Sequence, residues 1–201
     1  MSDSYYHIAA PLLHEVRIKR SRFIGLLEPV ADREAAEARL EAIRAERHDA
    51  THNCFAWRIT PDESRFSDDG EPSGTAGRPI LAMLEKYALQ RALLVVTRYF
   101  GGVKLGTGGL IRAYSLCAEE TIERAVLKKV IPHHVFFLRY PYTLTRQIDY
   151  LVSRHHGRLV DPEFAADVRA RAEIPVDSSD AFHRELVAAG GGQVHIGEDG
   201  W

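Results

Sequence analysis

The chain has 201 residues, 45% of them apolar and 27% charged, and a formal net charge of −2. That balance describes a folded globular protein with enough apolar residues for one large or two small domains, and its bulk charge points to no particular partner. Only two cysteines are present, Cys54 and Cys117, there is no basic start followed by an apolar leader, and no apolar run nears the ~20 residues of a membrane helix, so a cytoplasmic protein without disulfides or membrane association is expected.

In chain order, Leu12–Ile18 and Phe23–Val30 read as two strands of a hairpin, joined across the basic cluster Arg17, Lys19, Arg20 and Arg22. Asp32 then offers an N-cap to a helix that carries Ala36, Leu40 and Ile43 at helical spacing up to Arg47. Asn53–Ile59 alternates, with Phe55, Trp57 and Ile59 on one face and Cys54, Ala56 and Arg58 on the other, and reads as a strand. Residues 60–77, TPDESRFSDDGEPSGTAG, are dense in turn dipeptides and read as a loop. Pro79 suits a first helical position, and Ile80, Leu84 and Tyr87 extend that helix to about Gln90.

The stretch Leu93–Ser115, LLVVTRYFGGVKLGTGGLIRAYS, organises this half of the chain. It opens as an apolar strand and closes as a helix with Leu110, Ile111, Tyr114 and Cys117 along it. Gly101, Gly102, Gly106, Gly108 and Gly109 lie between, with Lys104 and Thr107. A strand that feeds a helix through such a loop leaves unpaired N–H groups and a positive dipole end facing outward. Arg98, Lys104 and Arg112 add positive charge, and no acidic residue occurs from Gln90 to Cys117. The expected anion site is therefore Arg98, Lys104, Gly106, Thr107, Gly108, Gly109 and Arg112. The loop matches neither a Walker A motif nor a dinucleotide fingerprint, and glycine needed for backbone geometry alone is the simpler account of it.

The second half reads as a strand at Val135–Tyr140, a helix capped by Thr143 with Leu144, Ile148, Leu151 and Val152 and ending at Gly157, and strands at Arg158–Phe164 and Val168–Pro175. A helix capped by Asp177 follows, with Phe182, Leu186 and Val187 on one face and Gly190–Gly192 as its stop, and then a strand at Val194–Ile196. This βαββαβ order is ferredoxin-like. The chain is thus expected to be α+β in two domains, residues 1–132 and 133–201, with a protease-accessible boundary between Leu127 and His134.

Ser67, Asp68, Asp69 and Glu71 crowd carboxylates into a glycine-bearing loop, where they would serve as oxygen ligands, as an acid–base pair, or simply as turn-closing side chains. His52 is the natural neighbour of that loop. His48 and His52 mimic a zinc-protease spacing, but a strand begins between them, and Cys54 inside that strand is a structural thiol rather than a nucleophile. His52, Ser67, Asp68, Asp69 and Glu71 form the candidate pocket. No catalytic residue, metal or cofactor is assigned.

Taken together, KRSRFIG, HDATHNCFAW, FSDDGEPSGTAGRPIL and VVTRYFGGVKLGTGGLIRAYS resemble, in that order, the signatures of the IMPACT/YigZ family over roughly residues 10–130. The resemblance implies an N-terminal domain similar to the second domain of a small-subunit ribosomal protein and a C-terminal domain resembling domain V of elongation factor G. Eukaryotic relatives regulate translation under amino-acid starvation through contact with a ribosome-associated activator. The function implied is a translation-linked regulatory or nucleic-acid- or ribosome-binding protein, with RNA, the ribosome or a translation-associated protein as partner. The alternative from a different class is an enzyme acting on a phosphorylated or nucleotide-like small molecule through the two loops.

Overall fold

A computed structural model describes residues 4–197. Residues 1–3 and 198–201, which the two expected domain ranges include, lie outside the described residues. The contacts divide the chain into two units, one made of residues 5–130 and the other built on residues from 131 onward.

The first unit runs β1 (Tyr5–Ile8), β2 (Leu12–Ile18), β3 (Ser21–Pro29), α1 (Arg33–Glu46), β4 (His52–Arg58), β5 (Ser64–Ser67), α2 (Gly77–Lys86), β6 (Ala92–Tyr99), α3 (Thr107–Glu123) and β7 (Leu127–Val130). Five strands form one sheet in the order β2-β3-β6-β4-β5, and every neighbouring pair is antiparallel. The central strands β6 and β4 are buried on both faces. Cys54, Ala56, Leu94 and Val96 face a core shared with α2 and α3, whereas Phe55, Trp57, Leu93 and Val95 face Ala36, Leu40 and Ile43 of α1. Side chains alternate across a strand, so one continuous apolar run serves two helix layers.

The expected hairpin forms with a two-residue turn at Lys19 and Arg20, and Asp32 caps α1 through the Ala35 N–H at 2.8 Å. Three short strands are not legible in the sequence. β1 and β7 pair with each other, and β5 lies inside the stretch that reads as a loop. Each has four residues, too few to display a period against the surrounding turn signals. Helix α2 opens at Gly77, so Pro79 is its third residue rather than its first, and it stops at Lys86.

The second unit runs β8 (His133–Tyr140), a 3₁₀ turn (Tyr142–Leu144), α4 (Thr145–Arg154), β9 (Arg158–Phe164), β10 (Val168–Pro175), α5 (Val176–Gly190) and β11 (His195–Gly197). Its antiparallel sheet has the order β11-β8-β10-β9, the ferredoxin-like arrangement. Phe136, Leu138, Tyr140, Val168, Ala172 and Ile174 meet Ile148, Leu151 and Val152 of α4 and Phe182 and Leu186 of α5 in a single core. Two caps differ from expectation. The 3₁₀ turn takes up Thr143, leaving Leu144 at the α4 cap position without a side-chain bond, and Pro175 holds the α5 cap position with Asp177 in the first turn. Val187 is 55% exposed, because the residue after Leu186 is rotated about 100° from the buried stripe.

Candidate functional site

The antiparallel pairing decides where the loops gather. His52 at the start of β4 lies opposite Arg98 near the end of β6, and Arg22 near the start of β3 lies opposite Tyr99. Phe55 of β4 pairs with Ser67, the last residue of β5. The β2–β3 turn, the glycine loop after β6, the acidic loop after β5 and His52 therefore share one end of the sheet. Antiparallel strand direction brings them together.

The acidic loop splits into two roles. Asp68 is spent on the backbone, with Oδ1 accepting from the Ala76 and Gly77 N–H groups at 2.9 and 2.8 Å and Oδ2 from Gly74 at 2.8 Å. Burial works against its charge, but these donors outweigh that cost and hold its carboxyl below the ordinary value. Asp69 accepts from the Asn53 N–H at 2.7 Å and stands 3.5 Å from Arg44, and Ser67 Oγ accepts from the Asp69 N–H at 3.1 Å. Turn closure accounts for these three side chains. Among the described residues no three His, Cys, Asp or Glu side chains stand as a metal-binding group.

Glu71 turns inward instead. Its side chain is 4% exposed, and its Oε1 accepts from an Arg98 guanidinium nitrogen at 2.6 Å and from the Tyr114 hydroxyl at 2.8 Å. His52 Nδ1 lies 2.8 Å from the Asp69 carbonyl oxygen, which can only accept, so Nδ1 carries the proton. Its Nε2 is 3.9 Å from Glu71 Oε2. Tyr114 and Cys54 stand 3.3 Å apart beneath this pair. Burial first, and then the neighbouring Cys54 and Glu71, push the Tyr114 hydroxyl up, so it stays protonated and donates to Glu71. Burial likewise pushes the Cys54 thiol up and keeps it out of nucleophilic chemistry.

Arg98 departs from the expected surface cation. It is buried, neutralised by Glu71, and its guanidinium lies 5.4 Å from the ring centroids of both Phe23 and Phe100. The remaining members of the anion set behave differently. Lys104 and Arg112 are exposed, and neither makes an ion pair among the described residues. Gly106 precedes α3 with φ +73°, a conformation that costs any other residue a steric penalty, and no side chain caps the helix. Leu110 is the first residue of α3 whose N–H reaches an intrahelical carbonyl, that of Gly106, which leaves the Thr107, Gly108 and Gly109 N–H groups to a partner from outside.

Two contributors to this end of the sheet, Ser21 and Tyr114, are not legible in the sequence, whereas Phe100 and Tyr99 flank the glycine loop as rings that an unpaired base could stack on. Ser21 Oγ accepts from the Gly101 N–H at 3.2 Å, and a Cβ on Gly101 would stand 2.1 Å from the Arg20 carbonyl, so glycine there is what lets the loop lie on the hairpin turn. Tyr114 falls on the α3 core stripe, a position that gives no hint that its hydroxyl serves Glu71. Phe100 is 46% exposed beside a cleft of about 380 Å³ bounded also by Glu71, Arg98, Lys104, Leu105, Thr107 and Leu110. Tyr99, its neighbour, is half-buried with its hydroxyl 3.1 Å from Asp49.

The Impact N-terminal domain model matches residues 19–122, and a domain of unknown function (DUF1949) matches residues 138–193. The chain is 35% identical to IMPACT family member YigZ of Escherichia coli (strain K12), over 96% of this chain and 97% of that protein. It is 32% identical to IMPACT family member YvyE of Bacillus subtilis (strain 168), over 98% of this chain and 92% of that one. Protein IMPACT of Oryctolagus cuniculus aligns over 48% of this chain and 32% of its own length, at 35% identity. A solved structure described as a hypothetical protein superposes with a TM-score of 0.62 at 33% identity, covering 98% of this chain and 97% of its own. The chain is an α+β two-domain protein, and it belongs to the IMPACT family.

Proposed function

We propose that this protein is a translation-linked regulatory protein of the cytoplasm whose N-terminal domain binds RNA phosphate, either free RNA or RNA exposed on the ribosome. The observation that carries the reading is the α3 N-terminus, with three N–H groups lacking intrahelical acceptors and the exposed cations Lys104 and Arg112, which make no ion pair among the described residues, on the same segment. The family resemblance points the same way, through a domain similar to one of a small-subunit ribosomal protein and another resembling domain V of elongation factor G. No helix of the described residues is long and apolar enough to cross a membrane.

A helix N-terminus contributes about 0.3–1 kcal/mol toward an exposed anion and up to about 2 when partly buried. The cations must therefore supply much of any useful affinity, and that share weakens with salt through counterion release. Lys104→Glu combined with Arg112→Glu is expected to lower ribosome cosedimentation and RNA binding with an unchanged melting temperature. It should also flatten the salt dependence by about 0.7 in logarithmic slope for each phosphate that is no longer neutralised. Full, salt-insensitive association by that variant would move the reading to a protein partner. The second reading, an enzyme on a phosphorylated small molecule, is favoured by one observation: His52 Nε2 stands 3.9 Å from a buried carboxylate beside the same cleft. Absence of RNA and ribosome association in the unaltered protein would select it.

A further inference from the structure

We propose that the cleft takes a single nucleotide unit, with its phosphate on the α3 N-terminus and its base against Phe100, and that Glu71 makes the site select guanine. The inference rests on the phosphate-binding reading above and adds the base to it. A cleft of about 380 Å³ lies within the range of small-ligand sites, roughly 300–1,000 Å³. Lys104 and Thr107 border one part of it, where the free N–H groups of α3 begin, and Phe100, Leu105 and Leu110 supply apolar surface. Phe100 is 46% exposed, which leaves ring surface for stacking on a base.

The buried polar groups beside the cleft point to the base. Glu71 borders it with a side chain 4% exposed, yet only Oε1 receives hydrogen bonds, from Arg98 and Tyr114. Oε2 has no hydrogen-bond donor from the described residues, and His52 Nε2 stands 3.9 Å from it, beyond hydrogen-bond reach. Arg98, which borders the cleft as well, keeps its Nε without an acceptor. Buried polar groups are nearly always paired, so the unpartnered Arg98 Nε–H calls for a carbonyl oxygen from a ligand, and Glu71 Oε2 beside it, lacking a donor from the described residues, calls for N–H groups. The Watson–Crick edge of guanine offers two neighbouring donors, N1–H and N2–H. Uracil offers one N–H flanked by two carbonyl oxygens and would press at least one of them against the carboxylate. Adenine and cytosine set an amino group beside an acceptor nitrogen, and fall between.

The test is equilibrium binding of guanosine and uridine 5′-monophosphates to the full chain, beside two short 5′-phosphorylated RNAs that begin with G or with U. Guanosine monophosphate, or the RNA beginning with G, is expected to bind about tenfold or more tighter than its uracil counterpart. Glu71→Gln should erase that preference. Because Glu71→Gln disturbs a buried ion pair and can fail to fold, Phe100→Ala at an exposed ring is the second variant, expected to weaken the guanine ligand by about tenfold or more. A preference confined to the mononucleotide assigns the cleft to a free nucleotide, and one confined to the RNA assigns it to an RNA end; either supports the inference. Equal binding of guanine and uracil ligands, or binding untouched by Phe100→Ala, overturns it. If the RNAs then still lose affinity in the Lys104→Glu, Arg112→Glu variant, the phosphate-binding reading stands without the base.

Discussion

Arg98 and Glu71 show how one residue's meaning depends on its partner. A lone arginine after an apolar strand reads as a surface cation, but here the guanidinium is buried and held at 2.6 Å from a carboxylate that is itself 4% exposed. Taking both charges out of water is costly, and the pair is tolerated because Tyr114 and Ser21 add further contacts around it. Removing one partner leaves the other uncompensated. Arg98→Met is expected to destabilise the chain by about 3–5 kcal/mol in urea unfolding, whereas Arg98→Met combined with Glu71→Leu should recover much of that loss. A single-variant cost below about 1 kcal/mol would show that the pair contributes little.

At the scale of an element, the acidic loop between β5 and α2 is ordered by a carboxylate acting as a scaffold. Asp68 gathers the N–H groups of Gly74, Ala76 and Gly77, and so ties the end of β5 to the first turn of α2. Its carboxyl titrates below the ordinary value in the folded chain. A depressed folded pKa contributes stability that is present above the unfolded value, about 3.9, and is lost as pH falls through the folded one. The unfolding free energy should thus decline on acidification below about pH 4, and Asp68→Asn should reduce that slope because the amide does not titrate there and its nitrogen cannot accept a hydrogen bond. Urea titrations of both proteins across this range provide the check, and identical slopes would remove Asp68 as the source. The hairpin turn is built differently. Lys19 and Arg20 both have positive φ, +43° and +69°, where Asn-Gly is the usual pair, so two cations are held in a conformation that costs L-residues free energy.

At the scale of the whole molecule, each unit is closed by itself: the first has a core on each face of its five-stranded sheet, beside the β1–β7 pair, and the second a single core on its four-stranded sheet. The last strand of the first unit, β7, is paired with β1, so the backbone from Leu127 to Val130 is hydrogen-bonded within that unit. We propose the boundary at Ile131–Pro132 on that ground, narrower than the span between Leu127 and His134 suggested by the sequence. Fragments 1–130 and 131–201, expressed separately, are each expected to unfold cooperatively in urea, the smaller at lower midpoint because a domain of its size buries less of its surface. A non-cooperative or unfolded 1–130 fragment would mean that its core needs the rest of the chain.

Local pattern by itself determined the long elements. The apolar run within Ala92–Tyr99, the alternation along Val168–Pro175 and the stripe on α1 were legible because burial imposes a pattern wherever an element is long enough to display it. The glycine loop and the acidic loop were legible as unusual, since glycine and carboxylate clusters break that pattern. Tertiary structure alone decided which members of each loop meet. Asp68 and Asp69 turned to the backbone and Glu71 turned inward, although all three look alike in sequence. Arg98 was buried while Lys104 and Arg112 stayed exposed, and Tyr114 and Ser21 joined from elements far along the chain. The reason is physical: strand pairing sets the neighbours of a side chain, and a charge is kept in water or paired in the core according to those neighbours.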